Sequence, residues 1–231
     1  MFVIIRDVMN QEEVLRAKYD EVYRLLLAAY GEHRWRQHLP PVDELVCTIL
    51  SQATSDTNRD KGFTGLRQRF PDWEAVMWAE EEEVVAAIMP AGLARQKAPR
   101  IQNALRHIHR TRGALTLDFL AELPLPEAQA WLTRIKGIGP KTAAIVLLFA
   151  FGRPTFPVDT HVHRILRRVG LIDPRTSADK AHEIMENRGR PKTFYTMHLN
   201  LIRHGREVCQ ARSPKCATCP LQSCCDYFPA Q

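Results

Sequence analysis

Residues Ile135 to Arg164, IKGIGPKTAAIVLLFAFGRPTFPVDTHVHR, read as a tight turn, a helix, a return loop and a second helix. Gly137 and Gly139 flank Ile138 and can both take φ > 0 at little cost. Pro140 follows at an early helical position, where its missing N–H is no loss. Backbone N–H groups at such a helix start face outward and suit a phosphate. The run Thr142 to Phe151 is almost wholly apolar and predicts a helix buried on nearly all sides, which holds the turn rigidly. Gly152 and Pro154 end it. A helix of that length rises ~15 Å, whereas the chain from Gly152 to Asp159 spans up to ~26 Å when extended. Asp159 is therefore able to return beside Lys141.

The whole chain has 231 residues, 45% of them hydrophobic, enough for a sizeable core and too apolar for a disordered or fibrous chain. The longest apolar run, Ala143 to Phe151, falls well short of the ~20 residues that cross a membrane. The N-terminal MFVIIRDVMNQEE has acidic residues soon after its apolar start and no basic leader region. No signal peptide is expected, and the location expected is cytoplasmic and nucleoid-associated. The net charge of +6 hides an asymmetry. Residues 1–90 hold 10 Lys and Arg against 16 Asp and Glu, while residues 91–231 hold 22 against 10. A basic portion of that size is the electrostatic footprint of a nucleic-acid partner.

Helical patterns fill the chain and strand patterns are scarce, so the fold class expected is all-α. Val14, Tyr19, Val22, Tyr23, Leu26 and Leu27 recur at helical spacing within residues 11–30. Pro40-Pro41 then precedes an apolar helix, Val42 to Leu50, in which Cys47 reads as a core thiol. The polar cluster Ser51-Gln52-Ala53-Thr54 closes that helix, as a cap or as a face toward a ligand. Glu80 to Glu83 suit the solvated first turn of a helix. Pro90-Ala91-Gly92-Leu93 is a second glycine turn entering a helix, and Leu93 is either a core contact of the turn or an exposed apolar wedge. Another helix starts at Leu123 to Glu127 and leads into the hairpin. The helix Thr160 to Val169 carries Arg164, Arg167 and Arg168, and Asp159 sits at its N-cap position.

Five of the six cysteines lie between Cys209 and Cys225. With no export signal, metal is a better reading than disulfides. Cys209, Cys216, Cys219 and Cys225 give the spacing C-x6-C-x2-C-x5-C, open on spacing alone to an iron–sulfur cluster or structural zinc. Cys224 competes with Cys225 for the last position, and spacing selects Cys225. Arg212 and Lys215 lie within the loop, where a bound metal would order both cations for phosphate contact. His198 and His204 are expected to be polar contacts within helices rather than ligands.

The hairpin Ile135-Lys136-Gly137-Ile138-Gly139-Pro140-Lys141-Thr142-Ala143 and the segment Val158-Asp159-Thr160-His161 resemble the helix-hairpin-helix DNA glycosylases. The cysteine spacing is similar to the [4Fe-4S] ligand set of that family's iron–sulfur branch. The resemblance implies two helical lobes. Residues 32–151 would form a helical barrel carrying the hairpin, and residues 1–31 with 152–231 would form the cluster lobe. It implies that Lys141 is the amine nucleophile and Asp159 its catalytic partner. Gln52 would enter the space left by a flipped nucleotide, Leu93 would wedge into the base stack, and Gly137 and Gly139 would meet phosphate. The activity implied is that of a glycosylase and abasic-site lyase on oxidised pyrimidines in double-stranded DNA, acting as a monomer. The family's adenine-excising branch lacks the hairpin lysine and carries a further C-terminal domain, whereas this chain stops soon after Cys225. Lys136 departs from the family's proline and adds a charge at the turn. A non-catalytic DNA-binding module and an iron–sulfur electron carrier are the competing classes.

Overall fold

The computed structural model describes residues 2–228, with side chains described from residue 11 onward. Among these residues there are eleven α-helices and no strand. In chain order they are α1 Phe2–Tyr30, α2 Pro41–Leu50, α3 Asp56–Arg69, α4 Trp73–Trp78, α5 Glu81–Ile88, α6 Ala94–Arg112, α7 Leu125–Thr133, α8 Pro140–Phe151, α9 Thr160–Val169, α10 Ala178–Arg188 and α11 Phe194–Glu207. None of the helices is long and apolar enough to cross a membrane among the described residues.

The chain divides into two compact units, residues 36–153 and residues 1–35 with 154–231. The boundaries fall a few residues beyond those expected at 31/32 and 151/152, and hydrogen bonds account for both shifts. The His33 ring meets Asn200 Oδ1 at 3.0 Å and the His33 N–H donates to Thr196 Oγ1, which holds the end of the first segment to α11. Arg153 Nη1 donates to the carbonyls of Leu120 and Ala121 at 2.8 and 2.9 Å, which keeps that residue with the hairpin unit.

Each unit has its own core. In residues 36–153 the core runs through α2 to α8, with Leu45, Ile49, Leu66, Met77, Ile88, Ile101, Leu105 and Leu147 fully buried. Helix α8 contributes Ala143, Val146 and Leu147, so the hairpin's second helix is fastened by apolar side chains as expected. In the other unit Tyr19, Val22 and Leu26 of α1 meet Leu166, Met197 and Leu201. Val14, expected on the same stripe, is 60% exposed. At 100° per residue it lies about 140° around the helix from Tyr19 and falls on the solvent flank.

Candidate functional site

The hairpin of residues 36–153 is built on two buried isoleucines. The Ile138 N–H donates to Ile135 O at 2.9 Å, closing the turn between α7 and α8, and both side chains are buried while Lys136 is exposed. Gly137 takes φ +91°. Gly139 does not use its freedom to take φ > 0. It caps α8 at φ −96°, ψ 179°, because the left-handed step has already been made at Gly137 and an N-cap wants extended backbone. Both glycines are exposed, and α8 starts with Pro140 and no side-chain cap, so its first-turn N–H groups have no intrahelical partner. Lys141 is half-buried at the second helical position. No acidic residue lies in this turn.

Two residues of α6 tie the neighbouring turns to this hairpin. Lys97 is fully buried, and its Nζ donates to Leu50 O and Ala91 O, each at 2.8 Å. Burial, and then the nearby charge of Arg100, lower its pKa from the usual lysine value. The bond to Leu50 O completes the end of α2, whose last four carbonyls all find donors. Cys47 O accepts from Ser51 N–H, Thr48 O from Ser51 Oγ, Ile49 O from Gln52 N–H, and Leu50 O from Lys97. The bond to Ala91 O fixes the second glycine turn, where Gly92 (φ +66°) and Leu93 (φ +51°) reverse the chain. Leu93 is 49% exposed, which removes the core-contact reading.

Arg100, one turn further along α6, reaches the other two features. Its Nη1 donates to Gln52 Oε1 at 2.8 Å. Its stem lies against Gly137, where an added Cβ would meet Arg100 Cγ at 3.2 Å and Cδ at 3.3 Å. Gln52 and Gly137 are thus joined through one side chain, and Leu93 and the end of α2 through another. Neither Lys97 nor Arg100 was assigned a role from sequence, although both follow closely on the Gly92-Leu93 turn. Replacing Lys97 by Met leaves two buried carbonyls unpaired, offset in part by no longer burying an ammonium. The net loss expected is about 2 kcal/mol, read as a fall in Tm of about 4–8 °C. An unchanged Tm would mean that solvent or another donor serves these carbonyls.

In the other unit Asp159 heads α9, and its Oδ1 accepts from the Val162 N–H at 2.7 Å. The N-cap role is therefore present, and it occupies one of two carboxylate oxygens. The same helix clamps the cysteine loop. Arg164 donates to Cys209 O and Gly205 O at 3.0 and 2.9 Å, and Arg168 donates to Gln210 O at 2.7 Å, Ala211 O at 3.1 Å and Cys209 Sγ at 3.3 Å. The i,i+4 spacing of Arg164 and Arg168 on one helix face was the available sequence signal for this clamp.

Burial pushes the Cys219 thiol up to about 11, and the thiols whose charge reaches it are Cys209, Cys225 and Cys216. Burial raises the Cys224 thiol too, and its Sγ lies toward Leu221 O at 3.5 Å. Among the described residues no three Cys, His, Asp or Glu side chains close to the spacing that one metal ion needs. The histidines link elements rather than staying within their helices. His198 Nδ1 meets Pro157 O at 3.0 Å, and His204 lies between Tyr30 Oη at 2.8 Å and Cys219 Sγ at 3.6 Å. Burial and the Arg164 charge hold the His204 pKa down to about 4. Arg212 and Lys215 are both exposed on this loop, and neither meets a carboxylate among the described residues.

A protein of Arabidopsis thaliana assigned as a DNA glycosylase is 34% identical over 71% of this chain, which spans 56% of that plant protein. Endonuclease III of Sulfolobus acidocaldarius is 31% identical over 80% of this chain and 81% of its own length. A trapped covalent intermediate of endonuclease III with DNA superposes with a TM-score of 0.77 at 26% identity, covering 95% of this chain and 97% of the other. Residues 46–191 match the model of the HhH-GPD superfamily, a span that contains the glycine turn, Lys141 and Asp159. The chain belongs to the HhH-GPD superfamily of base excision DNA repair proteins.

Proposed function

We propose that this protein is a bifunctional DNA glycosylase and abasic-site lyase that removes oxidised pyrimidines from double-stranded DNA. The observation that carries the reading is an amine, Lys141, at the second position of α8 directly behind an exposed glycine turn, in a chain of a base excision family. Chemistry at C1′ requires the nucleotide to leave the stack. The Lys141 lone pair then forms a bond to C1′ as the glycosidic C1′–N bond breaks and the base departs with a proton. Asp159 takes the proton from the lysine nitrogen or stabilises positive charge on the sugar. The C1′–O4′ bond then breaks as the nitrogen lone pair forms the imine and O4′ takes up a proton; the imine acidifies the 2′ hydrogen, and loss of that proton expels the 3′ phosphate by β-elimination. Borohydride reduction on an abasic-site duplex tests this directly, since reduction makes the imine a stable adduct. A DNA-binding module or an electron carrier forms none. A panel of single-lesion duplexes tests the substrate class.

The cysteine loop fits a [4Fe-4S] cluster held by Cys209, Cys216, Cys219 and Cys225. Its donor set is four soft sulfurs, three of which bear on Cys219, and Arg168 donates to Cys209 Sγ, as a thiolate bound to iron would accept. When bound, such a cluster supplies a rigid cross-link for the loop that carries Arg212 and Lys215. Cys225→Ser is expected to lose iron and sulfide, whereas Cys224→Ser keeps both. One zinc and no sulfide in the purified protein would overturn the assignment. Affinity for duplex DNA should fall steeply with salt, with log K against log salt sloping about −0.9 per phosphate contact. Replacing Arg212 and Lys215 together by Ala should flatten that slope by about two contacts' worth. An unchanged slope would remove this loop from the DNA surface.

A further inference from the structure

One side of α9 lines a cavity within its own unit. The cavity measures about 580 Å³, inside the roughly 300–1,000 Å³ of small-molecule sites, and Arg164, Arg167 and Arg168 line it together with Thr160 and Tyr227. The three arginines are not equally free. Arg164 and Arg168 spend their donors on the carbonyls of Gly205, Cys209, Gln210 and Ala211. Arg167 is exposed and makes no hydrogen bond, ion pair or ring contact among the described residues. Its five N–H donors therefore remain for a ligand. The hydroxyls of Thr160 and Tyr227 likewise meet no partner among the described residues.

The wall is held in place. The Tyr227 N–H donates to Arg168 O at 3.0 Å, and the Arg168 guanidinium carbon lies 4.7 Å from the Tyr227 ring centroid. One carboxylate, Asp226, also lines the cavity, and Lys18 Nζ donates to it. Its charge is thereby answered from outside the wall, which leaves the arginines in excess.

We propose that this cavity binds a phosphate-bearing anion, with Arg167 as its principal partner. A guanidinium fork meets two oxygens of a carboxylate or a phosphate at once. A carboxylate sets both of its oxygens in the fork, whereas a phosphate keeps further oxygens for the two hydroxyls. The volume exceeds that of one phosphate group and leaves room for a second. The same chemistry is offered by a free phosphoanion and by the backbone of a DNA strand.

The test is isothermal titration of the purified protein with inorganic pyrophosphate at low salt, and saturable binding at one site is expected. Arg167→Ala should weaken it about tenfold or more, through loss of a charge-assisted contact. Arg175→Ala removes the same charge from an exposed residue outside the wall, paired with Asp173, and should change the affinity by less than about twofold. Equal losses in the two variants would reduce the attraction to net charge and overturn the proposal. Succinate binding as tightly as pyrophosphate would remove the preference for phosphate, and the absence of saturable binding would remove the site. Repeating the titration on Lys141→Gln protein saturated with an abasic-site duplex separates the two sources. An unchanged pyrophosphate affinity identifies a free phosphoanion as the occupant, whereas displacement by the duplex identifies a phosphate of the bound strand.

Discussion

Lys141→Gln is expected to abolish borohydride trapping on an abasic-site duplex while DNA binding survives. Gln has no nucleophilic amine, so no imine forms and strand cleavage by β-elimination stops with it. The hairpin should not notice the change. Gly137 keeps its φ of +91°, the Ile138 N–H still donates to Ile135 O, and the apolar sides of α8 still hold the helix in place. Stability should hold or rise slightly. A cation in the first turn of a helix opposes the macrodipole by ~0.3–1 kcal/mol, and no acidic residue of that turn offsets it here. A lysine kept where its helix disfavours it fits a chemical role better than a structural one. Full trapping in the Gln variant would identify another amine as the nucleophile.

The features legible in sequence were those set by local backbone chemistry. Gly152 ends α8 in the left-handed region at φ +65°, Asp159 caps α9, and Glu81 to Glu83 occupy the first turn of α5, all as residue type and spacing required. The spacing of the cysteine loop is a signal of the same local kind, because its cysteines sit close together in the chain. What sequence did not give were the contacts between distant residues. Arg100 meets Gln52 across 48 positions and Lys97 meets Leu50 across 47, and nothing local marks either cation as bonded rather than solvated. Lys97 looks like any surface lysine of an amphipathic helix until the end of α2 is placed over it. Gly139 shows the limit of a residue-type signal. A glycine permits φ > 0 but does not demand it, and one left-handed residue was enough to turn the hairpin.

Asp159→Asn separates capping from catalysis on two substrates. Asn is as good an N-cap as Asp, so the bond now made by Asp159 Oδ1 to the Val162 N–H is kept, and Tm should change little. Asp159→Ala, by contrast, should cost about 1 kcal/mol from the lost cap. What Asn lacks is negative charge and the capacity to take a proton. Base release from a damaged-base duplex should therefore slow by roughly 100-fold or more, in the stage where Lys141 must lose a proton and the sugar gains positive charge. On a preformed abasic site the glycosidic bond is already gone and an aldehyde is available to Lys141, so trapping should fall much less. The two substrates thus report two stages of one reaction through a single carboxylate. If Asn matches Asp on both substrates while Ala is slow only as far as it is unfolded, Asp159 is a helix cap alone, and another group must serve the lysine.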